Sequence, residues 1–369
     1  MVEWKKLGEI ANISIGEFVH RDKQNSKAKY PVYNGGMTYT GFYDQYNNTG
    51  NKIIISARGY AGFVNRVFDN YWAGNSSYSI DVIDKNIIWH YVYYYLKNEQ
   101  YNIMSMQQKG GGLAAISKKQ IQGFQIPIPS LEEQNRIVGI LDTFTTSIDN
   151  LKEQIAQRRK QFEHYRNKLL SFEGAHEEVE WKKLGEVGRM IRGNGLQKSD
   201  FRDSGFPCIH YGQIHTHYGT STSVTKSFCD VEFAKKLKKA HSGDLLIATT
   251  SEDVDACCKA VAWLGNEDVA YSGDSYCFTH NQNPKYMSYL FQTELFAKQK
   301  RKVATGAKVV RVSGESMEKF IFPFPSLSKQ LSIVRALDTF EASIRNLEAQ
   351  LDLRQKQYEY YRNKLLTFE

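Results

Sequence analysis

Apolar residues between positions 137 and 169 recur at alternating steps of four and three: Ile137, Leu141, Phe144, Ile148, Leu151 and Ile155, then Phe162, Tyr165 and Leu169, with Arg158 at the one charged step. That spacing is the mark of a coiled-coil seam, narrower than the apolar face of an ordinary surface helix. The same pattern returns as Ile333, Leu337, Phe340, Ile344, Leu347, Leu351, Arg354, Tyr358, Tyr361 and Leu365. A helix over residues 130–172 would be a rod of roughly 65 Å, and the obvious partner of one rod is the other. A whole domain's length of chain separates them, so the pairing is expected to be antiparallel. It would hold two globular domains at opposite ends and relate the halves by a pseudo-twofold axis. Arg158 and Arg354 interrupt the seam at equivalent places, where they either fix its register or reach along the helix to solvent.

The helix starts are also legible. Pro129-Ser130-Leu131-Glu132-Glu133 puts Ser130 at the N-cap and Glu133 three positions on, a capping box. The second copy keeps Ser326 but has Lys329 in place of the glutamate, which predicts a weaker cap. Before each helix, Ile126-Pro127-Ile128-Pro129 and Phe322-Pro323-Phe324-Pro325 are extended, because the residue preceding a proline is biased away from helix.

The repetition goes beyond the seam. Glu3-Trp4-Lys5-Lys6-Leu7-Gly8-Glu9 recurs letter for letter at 180–186, an offset of 177, and Pro129–Phe172 recurs at Pro325–Phe368, an offset of 196, with 26 of 44 positions identical. The halves are duplicates. The stretch between the shared blocks is longer in the second copy by 19 residues, the difference between the two offsets. Residues 10–108 and 187–304 align only loosely, so constant frames enclose two variable domains. Within these, Lys52–Ser56 and Asp244–Ala248 read as strands among Gly, Asn and Ser turns, and Ile87–Asn98 and Lys285–Lys300 read as helices. The fold class is therefore α+β, with two globular domains containing mixed, twisted sheets.

Basic, amide and aromatic residues share turn-rich segments, the residue types that contact phosphates and base edges. Four loops are the candidate DNA-facing elements: Arg58-Gly59-Tyr60-Ala61-Gly62; Lys109-Gly110-Gly111-Gly112; Arg192-Gly193-Asn194-Gly195-Leu196-Gln197-Lys198; and Thr305-Gly306-Ala307-Lys308. Their glycines let backbone N–H groups approach a phosphate closely. The candidate contact residues are Arg58, Tyr60, Lys109, Gly110, Gly111, Arg192, Asn194, Gln197, Lys198 and Lys308. An excess of 48 Lys and Arg over 40 Asp and Glu, net +8, suits a polyanionic partner.

Other classes are disfavoured. No apolar run approaches the roughly 20 residues of a bilayer span, and Met1–Lys6 lacks the apolar core of a signal peptide, so the expected location is cytoplasmic, without membrane contact. Five cysteines (208, 229, 257, 258, 277), odd in number and without a Cys-x-x-Cys pair, argue against a disulfide framework. Gly110-x-Gly112-x-x-Ala115 fits a dinucleotide fingerprint in letters only, since the following extended segment leaves little room for the helix that motif needs. Cys208, His210, His215 and His217 include good metal ligands but lack a second zinc-type pair, and strand alternation would turn His215 and His217 to one face; no metal is expected. Glu-Trp-Lys at 3–5 and 180–182 lacks the upstream Pro-Asp of a nuclease. There is no Pro-Pro of an amino-methyltransferase motif and no Gly-x-x-x-x-Gly-Lys-Ser/Thr loop for ATP. No catalytic residue is expected.

With its two Glu-Trp-Lys-Lys-Leu-Gly-Glu openings, the Pro-x-Pro-Ser-Leu-x-x-Gln helix starts at Pro127 and Pro323, and the Tyr-Arg-Asn-Lys-Leu-Leu ends at Tyr165 and Tyr361, the sequence resembles the specificity subunit of type I restriction-modification enzymes over its whole length. The resemblance implies two target recognition domains, at residues 1–129 and 176–325, each reading one half of a split, asymmetric site in double-stranded DNA. It implies conserved helices at 130–175 and 326–369 that set the gap and dock two modification (methyltransferase) subunits. Restriction subunits, acting as ATP-driven translocase and nuclease, would join the complex. S-adenosylmethionine, ATP and Mg would then belong to partner subunits, with no cofactor in this chain. Recognition residues do not carry over from the family, whose variable domains differ. Two other readings are a self-contained methyltransferase or nuclease on the same scaffold, and an interaction protein working through its coiled coil.

Overall fold

The computed structural model describes residues 2–107, 114–172, 179–306 and 308–368. Two helices dominate, Leu131–Ser171 and Leu327–Leu366. The chain forms two compact units, Met1–Glu153 with Glu348–Glu369, and Gln154–Leu347, so each unit takes a portion of both long helices.

In the first unit, a four-stranded antiparallel sheet runs in the order Ala11–Ile15, Ser77–Val82, Lys52–Ser56, Val64–Val67. Beside it a three-stranded sheet pairs Tyr30–Tyr33 with Gly41–Tyr43 antiparallel and with Trp72–Ala73 parallel. The second unit repeats this plan. Gly188–Arg192, Ser275–His280, Leu245–Ala248 and Lys259–Trp263 follow the same order, with Ser221–Thr222 added at the edge. Phe206–Ile209 lies between Ser227–Cys229, antiparallel, and Val269–Tyr271, parallel. The stretches that barely align in sequence thus share one topology. Much of the extra length in the second copy falls between Ile209 and Ser227, where it adds the helix Tyr211–Thr216 and the edge strand.

The frame motifs have local causes. Glu3–Lys6 pairs antiparallel with Gln125–Ile128, setting Trp4 opposite Pro127, and Glu180–Lys183 pairs with Ile321–Phe324, setting Trp181 opposite Pro323. Leu7 and Leu184 are fully buried, and their N–H groups donate to Phe124 O (2.8 Å) and Phe320 O (2.9 Å). Glu9 and Glu186 turn back to accept the N–H of Lys6 and Lys183. The repeated Glu-Trp-Lys-Lys-Leu-Gly-Glu therefore closes each domain's chain entry onto its exit.

Each unit shows two antiparallel helix segments. In the first, Phe144 stacks on Tyr361 (5.4 Å) and meets Tyr358 (6.4 Å), while Ile137 and Leu141 share a core with Leu365, Leu366 and Phe368. In the second, Phe340 stacks on Tyr165 (5.3 Å) and meets Phe162 (6.4 Å), while Ile333 and Leu337 share a core with Leu169, Leu170 and Phe172. Arg354 lies 5.7 Å from the Phe144 ring and Arg158 lies 6.0 Å from the Phe340 ring, so both seam arginines sit against aromatic faces. Of the remaining seam positions, Ile148 and Ile155 are buried, and Leu151, Ile344, Leu347 and Leu351 are half-buried. The start of each seam packs into its domain's core, so it serves as core as well as helix-to-helix contact.

Three local expectations are corrected. The predicted helix over 285–300 is two helices, Pro284–Leu290 and Glu294–Val303, because Thr293 caps the second by accepting the Phe296 N–H (3.2 Å). The capping box at Ser130 is one-sided: Ser130 Oγ accepts the Glu133 N–H (3.3 Å), but the Glu133 carboxylate takes Arg136 in two hydrogen bonds of 2.7 and 2.6 Å. His215 lies on the helix Tyr211–Thr216 and His217 is its C-cap, so strand alternation does not apply to them.

Candidate nucleic-acid interface

In the first unit, the Arg58–Gly62 loop is held by its neighbours on both sides. Gly59 has φ +73°, and a Cβ there would stand 2.9 Å from Gly35 O, so the turn after the strand Lys52–Ser56 closes only with glycine. The Tyr60 N–H donates to Gly35 O (3.0 Å), pinning this loop to its neighbour. On the other side, Gln107 Nε2 donates to Ala61 O (2.7 Å), the Ile116 N–H donates to Ala57 O (2.9 Å), and Arg58 bridges Ala115. Lys109, Gly110 and Gly111 themselves lie outside the described residues; the segments bounding them are fixed to the Arg58–Gly62 loop. Arg58 is exposed, and Tyr60 (52%), Tyr39 (50%) and Met37 (46%) leave about half their surface to solvent.

In the second unit, Arg192 ends a strand and the chain leaves through Gly193, where a Cβ would stand 2.2 Å from Ser272 O. Leu196 anchors the loop in a small core, and Lys198–Asp200 forms a 3₁₀ turn. Arg192 Nε donates to Gly273 O (3.0 Å), and its guanidinium lies 4.0 Å from Asp274. Arg192, Gln197, Lys198, His210, Tyr211 and Asp274 edge an open cleft of about 540 Å³. Burial lowers the His210 imidazole from its ordinary value, and its Nδ1 accepts the Gly212 N–H (3.2 Å). Asn194 has a different task from the base reading expected of it. Its amide donates to Lys236 O (2.9 Å) and accepts the Lys238 N–H (2.8 Å), which commits both ends to holding the loop. Lys308 is exposed in a tight hairpin closed by Thr305 and Arg311, which is paired to Thr250–Ser251.

Several residues were missed by inspection of the sequence. Lys198 has a counterpart in Arg21, exposed in the 3₁₀ turn Arg21–Lys23 at the same offset of 177 that relates Gly16 to Gly193 and Val19 to Leu196. That offset, carried past the frame motif, was the available signal. The bridge of Arg58 to Ala115 is matched by the pairing of Thr250 with Arg311, so each domain presents one arginine there, on opposite members of the pair. Gln134 and Gln330 also emerge. Gln134 accepts the Ile88 N–H (2.9 Å) and donates to Asn86 O (3.2 Å) and Pro129 O (3.0 Å). Gln330 accepts the Asn283 N–H (3.0 Å) and donates to Gln282 Oε1 (2.7 Å) and Pro325 O (2.9 Å).

The metal-like side chains are dispersed. Cys208 packs with Cys229 in the core, and His215 Nε2 meets Thr250 O at 2.9 Å. Among the described residues no three His, Cys, Asp or Glu gather as a cation site would require. Nor is any described helix long and apolar enough to cross a membrane.

The described chain is thus a duplicated α+β domain joined to two long helices, an architecture with two like-folded, differently surfaced modules. The family model for the type I restriction modification DNA specificity domain matches residues 1–158 and again 176–353, and the chain belongs to that family. A putative type I restriction enzyme specificity subunit of Haemophilus influenzae is 26% identical over 388 residues, covering all of this chain and 96% of that protein. The EcoR124I/EcoR124II type I specificity subunit of Escherichia coli is 28% identical over 403 residues, covering all of this chain and 94% of its own length. In fold, the crystal structure of the type I restriction-modification S subunit from M. genitalium matches with a TM-score of 0.65 at 18% identity, over all of this chain and 97% of that one.

Proposed function

We propose that this chain is the non-catalytic DNA-specificity subunit of a type I restriction-modification enzyme, in which each domain reads one half of an interrupted, asymmetric target. The observation that carries this reading is that one topology recurs with different exposed side chains at equivalent places, Ile15 in one domain and Arg192 in the other. Lys and Arg contacts to phosphates would supply salt-dependent affinity, and base-edge contacts would supply discrimination of about 1–3 kcal/mol each. The two helices, identical at 26 of the 44 repeated positions, offer a similar surface twice, which suits two copies of one modification subunit, with restriction subunits joining that assembly. S-adenosylmethionine, ATP and Mg then serve the partner subunits.

The test combines the purified chain with its modification subunits, S-adenosylmethionine and duplex DNA. Methyl transfer at a defined sequence should require both proteins. Methylation or cleavage by this chain alone would contradict the proposal.

A further inference from the structure

Comparing the cleft edge of the second domain with the equivalent positions of the first separates what the two domains keep from what they change. The equivalence is set by strand register: Ile13 opposite Ile80 corresponds to Met190 opposite Phe278, and Val32 opposite Trp72 corresponds to Cys208 opposite Ala270. On this map Lys198 corresponds to Arg21, and both are exposed cations opening a 3₁₀ turn. Each turn is positioned by the same two devices. A glycine too close to a carbonyl for any side chain precedes it, with a Cβ of Gly16 falling 2.1 Å from Ala73 O and that of Gly193 falling 2.2 Å from Ser272 O. A buried apolar residue then anchors it, Val19 or Leu196. The neighbouring positions are not kept: Arg192 corresponds to Ile15, Tyr211 to Gly35 and Asp274 to Ser76.

A phosphate asks for positive charge at a fixed place and carries no sequence pattern, so either an arginine or a lysine can hold it. A base edge asks for a particular pattern of donors, acceptors and apolar surface, so positions that read unlike half-sites must differ in chemistry. We infer that Arg21 and Lys198 hold equivalent backbone phosphates in the two half-sites, and that Arg192 is a specificity-determining residue reading a guanine edge in the half-site of the second domain. Arg192 suits that role because Gly273 O and Asp274 orient its guanidinium at the cleft edge before DNA arrives. Ile15, 55% exposed at the corresponding position, has no side-chain donor and imposes a different preference. This inference rests on the proposed function.

The experiment uses the full chain in complex with its modification subunits, and measures affinity against salt together with the methylated motif. Lys198→Ala and Arg21→Ala should each leave the motif intact. Each should weaken cognate and non-cognate duplexes in parallel and lower the slope of log K against log salt by about 0.9. Arg192→Ala should make one position of one half-site degenerate, with discrimination there falling about ten- to hundred-fold and the other half-site unchanged. Arg192→Lys, which keeps the charge and loses the fork, should show the same degeneracy while retaining affinity for non-cognate DNA. A selective wild-type complex whose motif survives Arg192→Ala and Arg192→Lys, or whose motif shifts with Lys198→Ala, would overturn this inference alone. A wild-type complex with no sequence preference would overturn the proposed function and this inference with it.

Discussion

Gln134 and Gln330 are fully buried polar side chains whose amides lock the strand-to-helix corner of each unit to the start of a domain helix. An aliphatic replacement would strand buried backbone groups, at a cost of about 1–3 kcal/mol for each group left unsatisfied. Gln134→Leu and Gln330→Leu should therefore each lower the thermal unfolding midpoint, and a midpoint unchanged in either would contradict the clamp. A second prediction concerns protons. Burial, outweighing the opposing pull of Asp244, holds His280 down to about 4, and burial also lowers His210 and His215. The unfolded chain then binds more protons than the folded one below the ordinary histidine value of about 6.5. Stability from these groups is complete above that pH and is lost as pH falls toward about 4. His280→Gln should flatten part of that decline in midpoint against pH, and an identical profile would contradict it. At this scale the sequence was only partly legible. The glutamine belongs to a visible repeated motif, but its partners Ile88 and Asn283 lie 46 and 47 residues away, a distance no local pattern encodes. The loop-holding bonds of Asn194 were hidden for the same reason, since its partners Lys236 and Lys238 come from a distant turn.

Elements were more legible where one periodicity runs long. The two long helices followed from a spacing sustained over nearly five heptads, and the strand Lys52–Ser56 agrees with its sequence-based bounds. The break at Thr293 was hidden because a capping threonine inside an amphipathic pattern costs the pattern nothing. The domain helices carry a repeat that the loose alignment obscured. Tyr91 and Tyr286 donate to Pro127 O (2.6 Å) and Pro323 O (2.8 Å), and Tyr94 and Tyr289 donate to Asp142 (2.5 Å) and Asp338 (2.7 Å). Tyr94 and Tyr289 thus tie each long helix to its domain, and Tyr91 and Tyr286 tie down the strand that leads into it. The facing aromatics suggest a matched test: Phe144→Ala and Phe340→Ala should each destabilise by about 2 kcal/mol, below the usual cost of a fully buried phenylalanine because both rings are half-buried. Loss from one and none from the other in denaturant unfolding would contradict the equivalence of the two helix contacts.

For the molecule as a whole, duplication was plain in the sequence, whereas the shared topology of the variable domains was not. Sheet order survives replacement of nearly every side chain so long as apolar alternation is kept. The insertion between Ile209 and Ser227 further broke the alignment. The proposed reading assigns a length to the helices as well as a docking role. Deleting one heptad from both long helices should shorten the gap tolerated between half-sites, and an unchanged gap would contradict the spacer role. The most direct test of the central claim is a genome-wide methylation map of a host carrying this chain and its modification subunits, compared with the same host lacking this chain alone. The expected result is one interrupted motif, with two unlike short half-sites at a fixed gap, that disappears with the chain. A methylation pattern that persists without it, or a contiguous or palindromic motif lost in its place, would contradict the account.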